Sequence, residues 1–156
     1  MVKSKTPITD IDKVIIQFFK KKYVLIARFS IFLVFFWFGL IKLLGLSPAS
    51  PLAEALTAKT VGMQYFDTLF IVLAVVECII GILFLVPKAT KFVFLLLMFH
   101  MATVCSPLLL IPEYTWQSFL VPTLEGQYII KNIIIVAVAI GIVASLNPLA
   151  NKSSSR

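Results

Sequence analysis

The residues able to do chemistry are few, and nearly all stand inside apolar runs. Arg28, Lys42, Asp67, Glu77, His100 and Lys131 interrupt such runs, and Glu125 stands just before the last of them. A charge in hydrocarbon costs at least about 2.5 kcal/mol, so each of these groups needs a partner, a water-filled cavity or a route to the interface. Helical spacing gives them faces. Arg28, Phe32, Phe35, Gly39 and Lys42 follow one another at steps of four and three and make a single stripe. Asp67, Ala74, Glu77, Cys78 and Gly81 share a broad face by the same rule. Lys131, Ile134, Val138, Gly141 and Ser145 form a third stripe, with Ala137 and Ala144 beside it. The small residues on these faces allow helices to approach closely. Polar stripes of this kind are expected to point inward and to hold either a proton or ligand site or a set of register-fixing pairs.

The elements that must position these groups follow from composition. Of 156 residues, 60% are hydrophobic and 13% charged, with 14 Phe; a soluble domain carries about a quarter charged residues. The mean hydropathy is +1.03, which excludes an ordinary soluble globule, a disordered chain and a collagen-like repeat. Four apolar stretches, at about 23–46, 66–86, 91–110 and 127–146, are long enough to cross a hydrocarbon core of about 30 Å. The first is too long for the apolar region of a secretory signal and reads as an uncleaved anchor. Ten Lys and Arg flank one side (Lys3, Lys5, Lys13, Lys20, Lys21, Lys22, Lys88, Lys91, Lys152 and Arg156), against Lys59 alone on the other. The expected fold is therefore an all-α, membrane-embedded four-helix bundle with both termini cytoplasmic. The net charge of +7 sits at the edges of apolar segments, which favours anionic lipid headgroups over nucleic acid as the partner.

Three further segments complete the organisation. Residues 1–22 form a cytoplasmic tail in which Ile11, Val14, Ile15, Phe18 and Phe19 repeat at helical spacing, with Lys13, Gln17, Lys20 and Lys21 elsewhere on the wheel. This is an amphipathic interfacial helix, lying on lipid or on the protein's own cytoplasmic face, with Thr9 or Asp10 able to cap its start. Residues 47–65 carry a short helical pattern through Leu52, Ala53, Ala55 and Leu56. Residues 111–126 hold Pro112, Tyr114, Trp116, Pro122 and Gly126 and no Lys or Arg; the aromatics fit an interface belt, and the apolar Ser118-Phe119-Leu120-Val121 suits a loop folded against the bundle mouth. Residues 147–156 are a short polar cytoplasmic tail, and residues 23–146 form the membrane domain.

Counting from the cytoplasmic ends of the spans, Glu77 and His100 both lie about 14 Å deep, near the midplane, and are placed to meet. Lys42, Asp67 and Lys131 come out at about 22–28 Å, with Glu125 just above, as one charged cluster at the outer mouth. Arg28 comes out at about 7 Å, shallow enough to snorkel. Pro107 marks a kink. Cys78 and Cys105 read as small buried hydrophobes at different depths, without the spacing of a disulfide or zinc site. One histidine does not supply bis-His haem ligation, and the chain has no phosphate-binding loop, HExxH or GxSxG. Redox chemistry would need a diffusible quinone or a partner's cofactor.

Taken together, Arg28, the run Phe36-Trp37-Phe38-Gly39-Leu40-Ile41-Lys42, Glu77 with Gly81, and Leu124-Glu125-Gly126-Gln127-Tyr128-Ile129-Ile130-Lys131-Asn132 resemble the DoxX-like membrane proteins, including their YkgB-type branch, over about residues 24–146. The resemblance implies a four-helix protein of the bacterial inner membrane, with Arg28, Gly39, Lys42, Glu77 and Lys131 matching the family's polar signature. Some relatives are subunits of a thiosulfate:quinone oxidoreductase, some associate with oxidative-stress enzymes, and distant ones assist receptor assembly. Three expectations follow: a quinone- or redox-linked subunit of a membrane oxidoreductase complex with a polar site opening outward, a non-catalytic scaffold or assembly subunit, or a small proton-coupled transporter. The expected partners are other membrane or redox subunits, or a second copy of the chain. Whether the chain is itself an enzyme stays open at this point.

Overall fold

The structure is a computed structural model that describes residues 10–146. The basic residues Lys3, Lys5, Lys152 and Arg156, the Thr9 cap, the Asp10 side chain and the 147–156 tail lie outside the described residues. Four helical stretches are long and apolar enough to cross a membrane, at Ile11–Leu43, Met63–Phe84, Pro87–Leu110 and Leu124–Ala144. The chain is thus a multi-pass membrane protein built as an all-α bundle.

Helix α1 (Asp10–Leu43) is unbroken over 34 residues, about 51 Å at 1.5 Å per residue and far more than one bilayer core. The amphipathic segment is therefore continuous with the first span, with no turn between them. Gly45, at φ +69, ends it in the left-handed conformation that favours glycine. Helix α2 (Ser50–Thr60) follows with Pro51 in its first turn, where the missing N–H costs nothing. A 3-10 turn over Met63–Tyr65 leads into α3 (Phe66–Phe84). A second, over Pro87–Ala89, reverses the chain into α4 (Thr90–Cys105).

At Pro107 the expected kink takes the form of a helix break, because proline cannot donate to the preceding turn. Short helices α5 (Pro107–Leu110) and α6 (Pro112–Thr115) follow. A two-stranded hairpin, β1 (Trp116–Ser118) with β2 (Val121–Pro122), comes next and is not foreshadowed by sequence periodicity. The last span is divided at Lys131 into α7 (Leu124–Ile130) and α8 (Asn132–Ala144).

The bundle is a square: α1 borders α3 and α8, and α4 borders the same two. Ile31, Phe35, Ile80, Phe84, Val93, Leu97, Ala139 and Ile142 fill its centre. Helices α1 and α3 pack backbone to backbone. A Cβ on Gly39 would lie 2.7 Å from the Ala74 carbonyl oxygen and from Cys78 Sγ, and one on Gly81 would lie 2.9 Å from Phe36 N. Outside, Trp37, Phe92, Leu95, Phe99 and Ile133 are exposed. In water such an apolar belt would drive aggregation; in a bilayer it is the lipid-facing surface.

Candidate functional site

Helix direction brings Lys42 and Glu77 together across unequal depths. Side chains tilt toward their own helix N-terminus, so on antiparallel helices Lys42 of α1 leans toward the termini end of the bundle while Glu77 of α3 leans toward the loop end. Lys42 Nζ donates to Glu77 Oε2 at 2.6 Å. The other carboxylate oxygen, Oε1, lies 3.5 Å from His100 Nε2 of α4. All three side chains are at least nine-tenths buried. Phe35 closes over the imidazole with its ring centroid 5.5 Å away, edge to face. One carboxylate thus sits between an ammonium and an imidazole, contributed by three helices.

The expected meeting of Glu77 with His100 is present, and Lys42 joins it. Depth counting placed Lys42 too high because it started the first span at residue 23. The packing register sets Gly39 against Ala74 and Cys78, and a lysine stem then reaches down where a glutamate reaches up.

The expected cluster of Lys42, Asp67, Lys131 and Glu125 does not form. Asp67 is exposed in the first turn of α3 and Glu125 is exposed in the first turn of α7, each where a helix N-terminus favours negative charge. Lys131 is exposed at the break between α7 and α8, its Nζ 3.9 Å from the centroid of the Tyr128 ring. The buried stripe of α8 runs through Ile135, Ala139 and Ile142, rotated from the stripe read from sequence, which leaves Lys131 and Ile134 outside.

Arg28 does not snorkel. It is buried, donating from Nη1 to the Phe84 carbonyl at 2.8 Å and from Nη2 to Thr90 Oγ1 at 2.6 Å. Thr90 Oγ1 in turn donates to the Pro87 carbonyl at 2.7 Å. One guanidinium therefore satisfies the end of α3, where carbonyls lack intrahelical partners, and ties it to the start of α4.

Cys78 and Cys105 are free and half-buried; Cys78 Sγ lies 3.8 Å from the Phe36 carbonyl oxygen. Among the described residues no group of three or more His, Cys, Asp and Glu could hold a metal ion. Nor do the cluster residues fit a quinone between them, because Lys42, the hydrogen-bond donor best suited to a quinone carbonyl, is already taken by Glu77. At the loop end Lys59 Nζ pairs with Glu113 Oε1 at 2.9 Å, and that hydrogen bond holds the Glu113 carboxyl below its ordinary range. Sequence reasoning missed this clasp between α2 and α6, since nothing in the spacing joins residues so far apart. No family model, no curated protein and no solved structure matches the chain.

Proposed function

We propose that the chain is a proton-handling subunit of a quinone- or redox-linked oxidoreductase complex in the bacterial inner membrane, with both termini cytoplasmic. The observation that carries this reading is Glu77 held between Lys42 and His100 inside the bundle. Reducing a quinone consumes protons as well as electrons, and a carboxylate next to an imidazole at membrane depth can accept one and pass it on. Protonating Glu77 would neutralise the partner of Lys42 and so change the charge of the cluster. The quinone or other redox group belongs, in this reading, to a partner subunit. The DoxX-like resemblance supports the assignment through Arg28, Gly39, Lys42 and Glu77, which lie on the inner faces of α1 and α3. The stripe of Ile11, Val14, Ile15 and Phe18 beside Lys20–Lys22 supports attachment of the first helix to anionic lipid.

Purification in mild detergent tests the proposal. Wild-type protein should carry redox-active subunits or extractable quinone, and Glu77→Gln, still folded, should lose them or lose proton-coupled turnover of the complex. A folded Glu77→Gln protein that keeps every association and every turnover rate would overturn it. One observation favours a scaffold as the second reading: Lys42 and Glu77 neutralise each other inside the bundle. A scaffold predicts that Lys42→Gln lowers thermal stability and moves no ligand-dependent signal. A proton-coupled transporter would instead show pH-driven flux in proteoliposomes.

A further inference from the structure

The hairpin between α6 and α7 carries unusual residues at its tip. Ser118 pairs with Val121, which leaves a two-residue turn made of Phe119 and Leu120. Turns of this length are normally Asn-Gly or a similar polar pair, because positive φ is required and water surrounds the loop. Here Leu120 adopts φ 58 despite its Cβ, a strained choice for such a side chain. Phe119 is 90% exposed and Leu120 72%.

The base, by contrast, is fixed. Ile111 and Thr115 are fully buried. Thr123 N donates to the Thr115 carbonyl at 3.0 Å, Thr123 Oγ1 to the Tyr114 carbonyl at 2.8 Å, and Trp116 Nε1 to the Leu108 carbonyl at 3.1 Å. Gly126 lies so close to the Thr115 carbonyl that a Cβ there would collide with it. A rigid base therefore displays two large apolar side chains away from the protein.

We propose that this hairpin is a membrane wedge, with Phe119 and Leu120 inserted among the lipids of the leaflet at the loop end of the bundle. Three observations choose lipid as the occupant. Residues 114–124 contain no charge. Tyr114 and Trp116 supply the amphipathic rings found where membrane proteins meet the headgroups. The chain on either side of the hairpin is also apolar and exposed, with Leu109 and Leu110 before it and Leu124 after it. Burial in the leaflet removes Phe119 and Leu120 from water, which offsets the strained turn.

Brominated-lipid quenching of the full chain in proteoliposomes tests this. In a Trp37→Phe, Trp116→Phe background, Phe119→Trp should give blue-shifted emission that lipids brominated near the headgroup quench strongly and aqueous iodide does not. Quenching by iodide but not by brominated lipid would overturn the proposal. So would protection from iodide that appears only at high protein density without bromine quenching, since a second copy would then cover the tip. If the Trp116 replacement prevents folding, Trp37→Phe alone keeps Trp116 as the reporter. Adding Phe119→Asp should then reduce its quenching by brominated lipid, and unchanged quenching would overturn the wedge. Because the readout is lipid contact, its failure leaves the proton-handling proposal untouched, and the reverse also holds.

Discussion

At the residue scale the decisive fact is that a buried charge is tolerable only with its partner. Lys42 and Glu77 are each more than nine-tenths buried and 2.6 Å apart, and their attraction must offset the loss of hydration of both. Removing one leaves the other unpaired inside the bundle. Glu77→Gln should therefore destabilise the protein by about 3 kcal/mol, the usual scale for breaking such a pair. Lys42→Met combined with Glu77→Leu should recover most of that loss, because no charge is then left uncompensated. Equilibrium unfolding of Lys42→Met, Glu77→Leu and the double in detergent gives the coupling directly, and purely additive losses would show that the contact contributes nothing. Arg28 illustrates what residue types alone reveal. Its shallow position within a span pointed to a route to the interface, but Arg28 instead has partners, a backbone carbonyl at Phe84 and a hydroxyl at Thr90. A chain turn creates both, so no side-chain spacing could announce them.

At the element scale, the four spans were legible because hydropathy and length suffice for them, and the stripes of α1 and, apart from the exposed Asp67 in its first turn, of α3 were legible because both helices run without a break through the bundle. The stripe of the last span was misread because Lys131 interrupts the helix between α7 and α8, so a phase counted from Lys131 drifts away from the buried face of Ala139 and Ile142. The hairpin was invisible because its turn uses Phe119 and Leu120 where turn chemistry would lead one to look for glycine or asparagine. Close packing of α1 on α3 makes its own forecast. A methyl group at Gly81 would press on Phe36 N and the Phe32 carbonyl, so Gly81→Ala should cost about 1–3 kcal/mol as an overpacking change. Thermal unfolding measures it, and a neutral outcome would show that the two helices separate easily. The Lys59 clasp between α2 and α6 should respond to acid. Its hydrogen bond to Lys59 holds Glu113 below the usual carboxylate range, so the contribution is present at neutral pH and is lost as pH falls from that range through the lowered value. A spin-label distance from α2 to α6 should lengthen over that window, and Glu113→Gln should remove the pH dependence.

At the scale of the whole molecule, helix count, charge asymmetry and the two ends of the bundle must agree with one another. Four candidate spans would place both chain ends on one side, and the proposed topology assigns that side to the cytoplasm because ten flanking cations stand against one. The two ends also differ in kind. The loop end carries α2, the Lys59 clasp and the uncharged hairpin, whereas the termini end carries the Pro87 turn, Lys88 and Lys91 beside the basic stretch at Lys20–Lys22. The Arg28 tie belongs to the termini end, through Phe84 and Thr90, and the buried cluster lies between the two ends, so only the orientation says which compartment each end faces. Cysteine-accessibility labelling in intact cells decides it. With Cys78 and Cys105 replaced, a cysteine at Thr123 should react with a membrane-impermeant reagent added outside, while one at Ser154 should react only after the cells are permeabilised. Labelling of the Ser154 position in intact cells would invert the topology, and would place Lys20–Lys22 on the side that the charge asymmetry forbids.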